Sequence, residues 1–166
     1  MSPRRHSSAP PRIVHLLDAP QVRRALAELI HAEFWADVPG ASAGGMAARL
    51  AQAGSPDALP LCRVALHGEE PVGVVNLIEY DDPNPRVGRP WLAGMVIARA
   101  WRGRGLGSRL VATLLEDARR LGEVQVFLGT DGPGFYARLG AVVHQRTRSD
   151  FCLMRFDLGR VATPTP

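Results

Sequence analysis

The sequence of 166 residues predicts an α/β protein with a mixed, mostly antiparallel central sheet that helices flank on both faces. Short apolar runs alternate with amphipathic stretches, and a strand–helix–strand crossover lies between two pairs of strands that short turns connect. The length suits one domain with a substantial core. We expect that domain at residues 12–159, between flexible tails at 1–11 and 160–166 that are rich in small residues and proline.

The chain is predicted to begin with a strand over residues 12–17 and an amphipathic helix. Asp18 is a suitable N-cap, and Pro20 suits a first helical turn. The apolar side chains then recur at helical spacing up to Trp35: Val22, Leu26, Leu29, Ile30 and Phe34. A glycine-rich break separates this helix from a second, short helix expected over residues 46–53.

A hairpin follows the helices. Two apolar runs, 59–66 and 71–80, are separated by a short turn, and the second is apolar enough to be a central strand. A proline-rich loop over residues 81–90 then leads to a strand over 91–97.

The crossover unit is the most informative part of the pattern. The strand over 91–97 is followed by a glycine-rich loop and by an amphipathic helix, which Gly122 is placed to end in a left-handed cap. A strand over residues 124–128 comes next. Strand, loop, helix and strand in this order predict a crossover between parallel or nearly parallel strands.

The chain is expected to close with a short helix and two strands. The helix covers about 132–139, with Thr130 or Asp131 as its cap, and Gly140 ends it. Strands over 141–147 and 151–158 then form an antiparallel pair across a short turn.

Composition excludes several classes of function. No uninterrupted apolar run approaches the roughly 20 residues of a membrane helix, and no apolar segment of a secretory signal follows the N-terminus. Every basic residue is an arginine, spread along the chain, so the net charge of +4 is weak evidence for nucleic acid. Cys62 and Cys152 are isolated in apolar stretches, which favours buried thiols over a metal site or disulfide. We expect a cytoplasmic protein without a metal.

The loop before the central helix has the features of a phosphate site. Gly103, Gly105 and Gly107 expose backbone amides at a helix N-terminus, and Arg102 and Arg104 add positive charge. Arg109 adds a third charge one turn further along the helix. Neither the nucleotide pattern GxxxxGK[ST] nor the dinucleotide pattern GxGxxG matches. A helix entry that needs glycines for tight packing, with solvated arginines, is the alternative.

Two motifs together resemble the GCN5-related N-acetyltransferase (GNAT) superfamily. The coenzyme A loop of that family, [QR]-x-x-G-x-[GA], matches at every fixed position over residues 102–107, RGRGLG. Residues 135–141, FYARLGA, are similar to its FYxxLGF segment, with Ala141 in place of the last aromatic residue. One helix and one strand separate the motifs, as in the family. The resemblance therefore implies the GNAT fold and transfer of an acetyl group from acetyl-CoA to a primary amine.

The resemblance also implies roles for individual residues. The pyrophosphate of acetyl-CoA would bind the backbone amides of residues 104–108, and the strand at 95–97 would pair with the pantetheine arm and leave an amide near the thioester carbonyl. Tyr136 occupies the position of the family's general acid, and we assign Phe135 to the core. The expected cofactor-binding residues are Met95, Val96, Ile97, Arg102, Gly103, Arg104, Gly105, Leu106, Gly107 and Ser108.

The general base and the acceptor stay open. The strand before the loop has no carboxylate, which leaves Glu33, Glu79, Asp131 or a water chain. The missing carboxylate favours an α-amine or another amine of low pKa, since such an amine is already partly neutral.

The acceptor side carries no recognisable motif. Core packing is the preferred role of Trp35 and Trp91, with the acceptor site as the alternative, and Asp81 and Asp82 are turn residues or attract a cationic acceptor. The acceptor is a small molecule or a peptide amine, and the protein is a monomer or a homodimer. A non-catalytic acetyl-CoA sensor is the main alternative function. A nucleic-acid-binding domain is the weaker one, since it needs a concentrated basic face with stacking aromatic residues.

Overall fold

A computed structural model describes residues 9–81, 87–147 and 150–159. Its strands form one seven-stranded sheet in the order β1-β2-β3-β4-β5-β7-β6. Every neighbouring pair is antiparallel except β4 and β5, which are parallel as the crossover predicts. The mixed, mostly antiparallel sheet is therefore confirmed. The strands are β1 (Arg12–His15), β2 (Leu61–His67), β3 (Glu70–Ile78), β4 (Trp91–Ile97), β5 (Gln125–Thr130), β6 (Val142–Arg146) and β7 (Cys152–Asp157).

Helices cover both faces of the sheet, as predicted. Residues Leu26 and Ile30 pack with β2 and β3 on one face, and Leu110 and Leu114 pack on the other. Both cores are apolar and fully buried, so each helix layer is held by removal of apolar area from water. The helices are α1 (Arg23–Phe34), α2 (Ala43–Leu50), α3 (Leu106–Arg120) and α4 (Pro133–Arg138).

The first strand is shorter than predicted because the chain turns at its end. His15 Nδ1 accepts a hydrogen bond from Leu17 N–H at 3.0 Å, and a 3₁₀ turn covers Leu16–Asp18. A second 3₁₀ turn, Pro20–Val22, precedes α1. Asp18 therefore lies inside the first turn and does not cap α1, so that prediction is wrong.

Two other helix starts also differ from the prediction. Ser42 Oγ accepts a hydrogen bond from Gly45 N–H at 3.0 Å and caps α2, so this helix starts three residues earlier than its apolar pattern predicts. Gly132 is the N-cap residue of α4 and has no side-chain cap. Neither Thr130 nor Asp131 caps α4, because the Thr130 hydroxyl accepts from Gly132 N–H in the turn before it.

The other boundaries agree with the prediction within a few residues. β4 has the predicted bounds, and Gly122 has a φ of +85° just after α3, as a left-handed helix cap requires. Cys62 and Cys152 are free and buried, as expected. Most of both predicted tails, as well as Asp82, lies outside the described residues. Within the described parts of the chain, no helix is long and apolar enough to cross a membrane.

Candidate functional site

The centre of the sheet opens between its two parallel strands. β4 and β5 pair at a single position, Trp91 with Phe127, and Phe127 N–H donates to the carbonyl of Pro90 there at 2.9 Å. Trp91 and Phe127 are buried there in a small apolar cluster with Leu153. Further along β4, residues 93–95 are partly exposed although they belong to a central strand. The two strands thus form a seam that is closed at the start of β4 and open along the rest of it.

A β-bulge bends β4 beside this open seam. Two of its residues, Gly94 and Met95, together oppose Val75 of β3. Gly94 has a φ of +58°, a conformation that favours glycine. The bulge changes the direction of the backbone at the middle of the seam, and the lone glycine inside the apolar run of β4 was the signal that could have predicted it.

The three glycines of the loop after β4 serve different purposes. Gly103 and Gly105 have φ values of +73° and +78°, and a Cβ on either residue would meet nothing within 4 Å. A Cβ on Gly107 would instead lie 3.3 Å from Cζ of Phe135 and 3.7 Å from Cγ1 of Ile97. The first two glycines therefore form an open turn, and the third allows close packing. Tight packing, the alternative explanation for the glycines, therefore applies to Gly107, whereas Gly103 and Gly105 leave space for a ligand.

The loop ends in an unobstructed helix N-terminus. The first hydrogen bond of α3 runs from Arg109 N–H to the carbonyl of Gly105 at 3.2 Å. The amides of Leu106, Gly107 and Ser108 precede this bond, so they have no acceptor within the helix. The dipole of a 15-residue helix adds positive potential at the same place. This arrangement is suited to binding a phosphate or pyrophosphate.

The arginines around the loop have distinct partners. Arg102 donates from Nε to the carbonyl of Ile97 at 2.9 Å and from an Nη to Glu33 of α1 at 3.2 Å. Arg104 lies over the ring of Trp101, with its guanidinium carbon 4.8 Å from the ring centroid. Arg102 thereby ties the loop to β4 and to α1. Arg104, which is exposed, has neither a carboxylate nor a carbonyl partner among the residues described.

Arg109 does not contribute to the site in the way expected from the sequence. Its guanidinium donates to the carbonyl of Pro11 at 3.0 Å, which holds the segment before β1 against α3. We therefore regard Arg109 as a structural residue, and its charge as partly engaged.

Tyr136 lies beside the bulge. Its O–H donates toward Sδ of Met95 at 4.0 Å, and its ring contacts that of Phe135 edge-on, with centroids 4.9 Å apart. Burial raises the pKa of Tyr136 to about 12, because the phenolate loses hydration. The hydroxyl is therefore protonated at neutral pH and available as a hydrogen-bond donor. Phe135 packs against the core, in agreement with its assignment.

The carboxylates considered as general base are differently placed. Glu33 is held by Arg102, and Glu79, just beyond β3, lies 3.7 Å from Nε of Arg89. Asp131 is exposed between β5 and α4. In the described ranges no three His, Cys, Asp or Glu residues are grouped so as to hold a metal ion.

The two tryptophans considered for the acceptor side are in unlike environments. Trp91 is buried and its indole N–H donates to the carbonyl of Gly88 at 2.8 Å, so core packing is confirmed for it. Trp35 is 38 % exposed at the end of α1, so core packing is wrong for this residue. Its ring borders a cleft of about 180 Å³ between α1 and α2, whose wall also includes His31 and Met46.

One polar residue near the bulge was not among the predicted site residues. Asn76 lies on β3 opposite Ala93 and is partly exposed, whereas its neighbours Val75 and Leu77 are fully buried. A single carboxamide inside an apolar central strand was the signal that could have identified it.

Comparisons with known proteins agree with this geometry. Residues 26–141 match the profile of the Acetyltransferase (GNAT) family. No curated protein sequence matches the chain. Among solved structures, an aminoglycoside 6′-N-acetyltransferase complexed with coenzyme A is similar with a TM-score of 0.69 and 17 % identity, over 93 % of this chain and 99 % of that one.

Two further structures have the same fold. The aminoglycoside 6′-N-acetyltransferase from Enterococcus faecium has a TM-score of 0.68 and 19 % identity, over 93 % of this chain and 99 % of its own. A GNAT-family acetyltransferase from Staphylococcus aureus Mu50 has a TM-score of 0.69 and 14 % identity, over 90 % and 99 %. The sheet with its single parallel pair, the glycine loop before α3 and a family match over more than half of the chain lead to one conclusion: the protein belongs to the GNAT acetyltransferase family.

Proposed function

We propose that the protein transfers an acetyl group from acetyl-CoA to a primary amine, which attacks directly while both substrates are bound. The observation that carries this proposal is the continuity between the free amides at the start of α3 and the open seam along β4. Gly107 in the first turn of α3 lies beside Ile97 at the end of β4, so the helix N-terminus adjoins the open side of that strand. An acyl donor with a pyrophosphate at one end and a long thin arm fits such a shape.

The donor site consists mainly of backbone groups. The amides of residues 104–108 would receive the pyrophosphate, with the exposed Arg104 as a neighbouring cation. The strand edge at Met95, Val96 and Ile97 would contact the pantetheine arm. Because Ala98 N–H donates to the carbonyl of Val72, the alternation of the ladder turns the backbone groups of Val96 toward β3 and those of Ile97 away from it, where the Ile97 carbonyl already accepts from Arg102.

The loop residues fix the shape of this site. Gly103 and Gly105 supply the left-handed turn, Leu106 is buried beneath it, and Gly107 allows α3 to approach Phe135. Ser108 lies in the first turn of α3 and is partly exposed. Arg102 contributes less through its charge than by holding the loop to Ile97 and Glu33.

The bulge and Tyr136 account for the chemistry. Acetyl-CoA supplies an activated acyl group whose carbonyl oxygen gains negative charge when an amine attacks, and a fixed backbone amide at the bulge would stabilise that charge. Tyr136 would donate its O–H to the departing thiolate. Its raised pKa keeps the proton on the phenol throughout the working pH range, so Tyr136 acts mainly by hydrogen bonding.

The amine loses its proton to water in this proposal. Residues 91–97 of β4 contain no carboxylate, and Glu33 and Glu79 are engaged by arginines. An amine that is already partly neutral at pH 7.5 needs no stronger base. The proposal therefore favours acceptors with α-amines or other amines of low pKa, in a cytoplasmic setting.

A titration with acetyl-CoA tests the donor site first. A ligand at about 100 times its Kd adds roughly 2.7 kcal/mol of stability, which a thermal shift detects. We expect a clear shift for the wild-type protein and its loss in Gly105→Glu, because a carboxylate on the open side of the loop repels the pyrophosphate. The absence of a shift in the wild-type protein contradicts the proposal.

An amine panel then tests turnover by release of free thiol from acetyl-CoA. The panel consists of glycylglycine, spermidine, kanamycin and Nα-acetyl-lysine, and we expect amine-dependent release with at least one of them. A thermal shift without release from any amine would instead favour the acetyl-CoA sensor.

A further inference from the structure

Asn76 is a polar residue of β3 that lies beside the bulge, on the same face of the sheet as α1. A Cβ built on Gly94 would lie 3.0 Å from Nδ2 of Asn76 and 3.9 Å from two side-chain carbons of Ile30 in α1. The carboxamide therefore lies against the bulge itself, with Nδ2 as the nearer of its two polar atoms. Oδ1 is the farther of the two and has no hydrogen-bond partner among the described residues.

The surroundings of Asn76 do not satisfy its side chain. Its neighbours Val75 and Leu77 are buried and apolar, as is Val74, which lies on the same face as Asn76. Within residues 9–81, 87–147 and 150–159 no group forms a hydrogen bond with the carboxamide, yet the residue is partly exposed. The hydrogen bonds of the carboxamide are therefore left to water or to a bound ligand, and a ligand that displaces the water has to replace them.

The opposite face of the bulge is already filled. Met95 packs with the core around α3, and the hydroxyl of Tyr136 lies on that side together with Phe135. An acyl group at the bulge would thus have Tyr136 on one face and Asn76 on the other. Because Met95, Tyr136 and Phe135 already lie on the α3 face, we expect the incoming amine to approach from the face of α1 and Asn76.

We propose that Asn76 positions the attacking amine of the acceptor. This inference rests on the proposed acetyl transfer. Oδ1 accepts a hydrogen bond from one N–H of the neutral amine, and this bond directs the nitrogen lone pair at the acyl carbon. The C–N bond forms and the C–S bond breaks, the thiolate leaves with a hydrogen bond from Tyr136, and the extra proton on nitrogen passes to water. Asn76 itself gives up and receives no proton.

The test compares Asn76→Ala with Asn76→Asp, using the fastest amine of the panel. We expect Asn76→Ala to raise KM for the amine and lower kcat/KM by about tenfold, the value of one hydrogen bond of about 1.4 kcal/mol, and to leave KM for acetyl-CoA within about twofold. Asn76→Asp should move the ascending limb of the kcat/KM profile to lower pH, because a carboxylate there binds the ammonium form and accepts its proton.

Val74→Ala is the matched control. Val74 is a buried residue of the same strand and the same face, so its truncation lowers the melting temperature and leaves the ratio of the two KM values unchanged. Three results overturn the inference: an unchanged amine KM in Asn76→Ala, an equal rise in both KM values, or an unmoved pH limb in Asn76→Asp. A wild-type protein that is inactive with every amine refutes the proposed function itself, whereas an active wild type with any of these three results refutes the role of Asn76 alone.

Discussion

A comparison of Gly105→Ala with Gly122→Ala separates the effect of Gly105 on acetyl-CoA binding from the effect of backbone strain on stability. Gly105 has a φ of +78° and Gly122, at the far end of α3, has a φ of +85°, and a Cβ on either residue meets nothing within 4 Å. Both alanine variants therefore force a left-handed residue without a steric clash. The cost is about 1 kcal/mol each, or roughly 2–4 °C in melting temperature for a chain of this size.

The two variants should differ in affinity for acetyl-CoA. A methyl group on Gly105 would project into the open space beside the start of α3, and we expect it to obstruct a phosphate that approaches the amides of Leu106, Gly107 and Ser108. Loss of one hydrogen bond to a charged group costs about 1.5–3 kcal/mol, which corresponds to a Kd raised roughly 10- to 100-fold. Gly122→Ala is remote from the loop and should leave Kd unchanged.

Isothermal titration calorimetry at fixed ionic strength measures the Kd for acetyl-CoA of each variant. Thermal unfolding measures the loss of stability that the left-handed alanine causes. We expect similar melting temperatures for the two variants and a weaker Kd for Gly105→Ala alone. Equal Kd values in Gly105→Ala and Gly122→Ala would refute the argument that the pyrophosphate binds the amides at the start of α3.

Three further predictions follow from particular contacts. Tyr136→Phe should lower kcat by about 10- to 100-fold with an unchanged KM for acetyl-CoA. The pH profile of the wild-type protein should have no descending limb below about pH 11, because the pKa of Tyr136 is raised to about 12. A descending limb at lower pH that disappears in Tyr136→Phe would contradict this. Glu33→Gln should change kcat/KM by less than about threefold, since Arg102 holds that carboxylate, whereas a loss of about 100-fold would identify it as the base. Burial, followed by the charge of Arg63, lowers the pKa of His15 below 6.5, so the unfolded chain binds more protons and the free energy of unfolding falls as the pH drops below about 6.5. Urea unfolding at pH 5 and pH 8 should therefore show a smaller pH-dependent loss of stability in His15→Gln than in the wild-type protein. An equal loss of stability in both proteins would argue against this role of His15.

The parts of the fold that were predictable depend on local sequence. The amphipathic face of α3, the glycine at its C-terminal cap and the motif at residues 102–107 are each defined by neighbouring residues, and they predicted the crossover and the glycine loop before α3. Helix starts were less predictable. The cap of α2 depends on one hydroxyl, Ser42, and the turn before α1 on a hydrogen bond to the ring of His15.

The parts that were not predictable depend on contacts between distant residues. Arg102 and Arg109 looked alike in the sequence, yet their partners Glu33 and Pro11 are 69 and 98 residues away along the chain. The seam also depends on where β5 leaves β4, which no local pattern encodes. The position of Asn76 beside the bulge depends on the register between β3 and β4, which the sequence alone does not determine.

A matrix of initial rates, with acetyl-CoA and the best amine varied together, tests the central claim most directly. Direct attack within a ternary complex predicts amine-dependent thiol release and double-reciprocal lines that intersect, with one acetyl group found on the amine by mass spectrometry. Parallel lines would contradict direct attack, because they indicate a covalent acyl-enzyme and ping-pong kinetics. The absence of amine-dependent release would contradict the transferase itself.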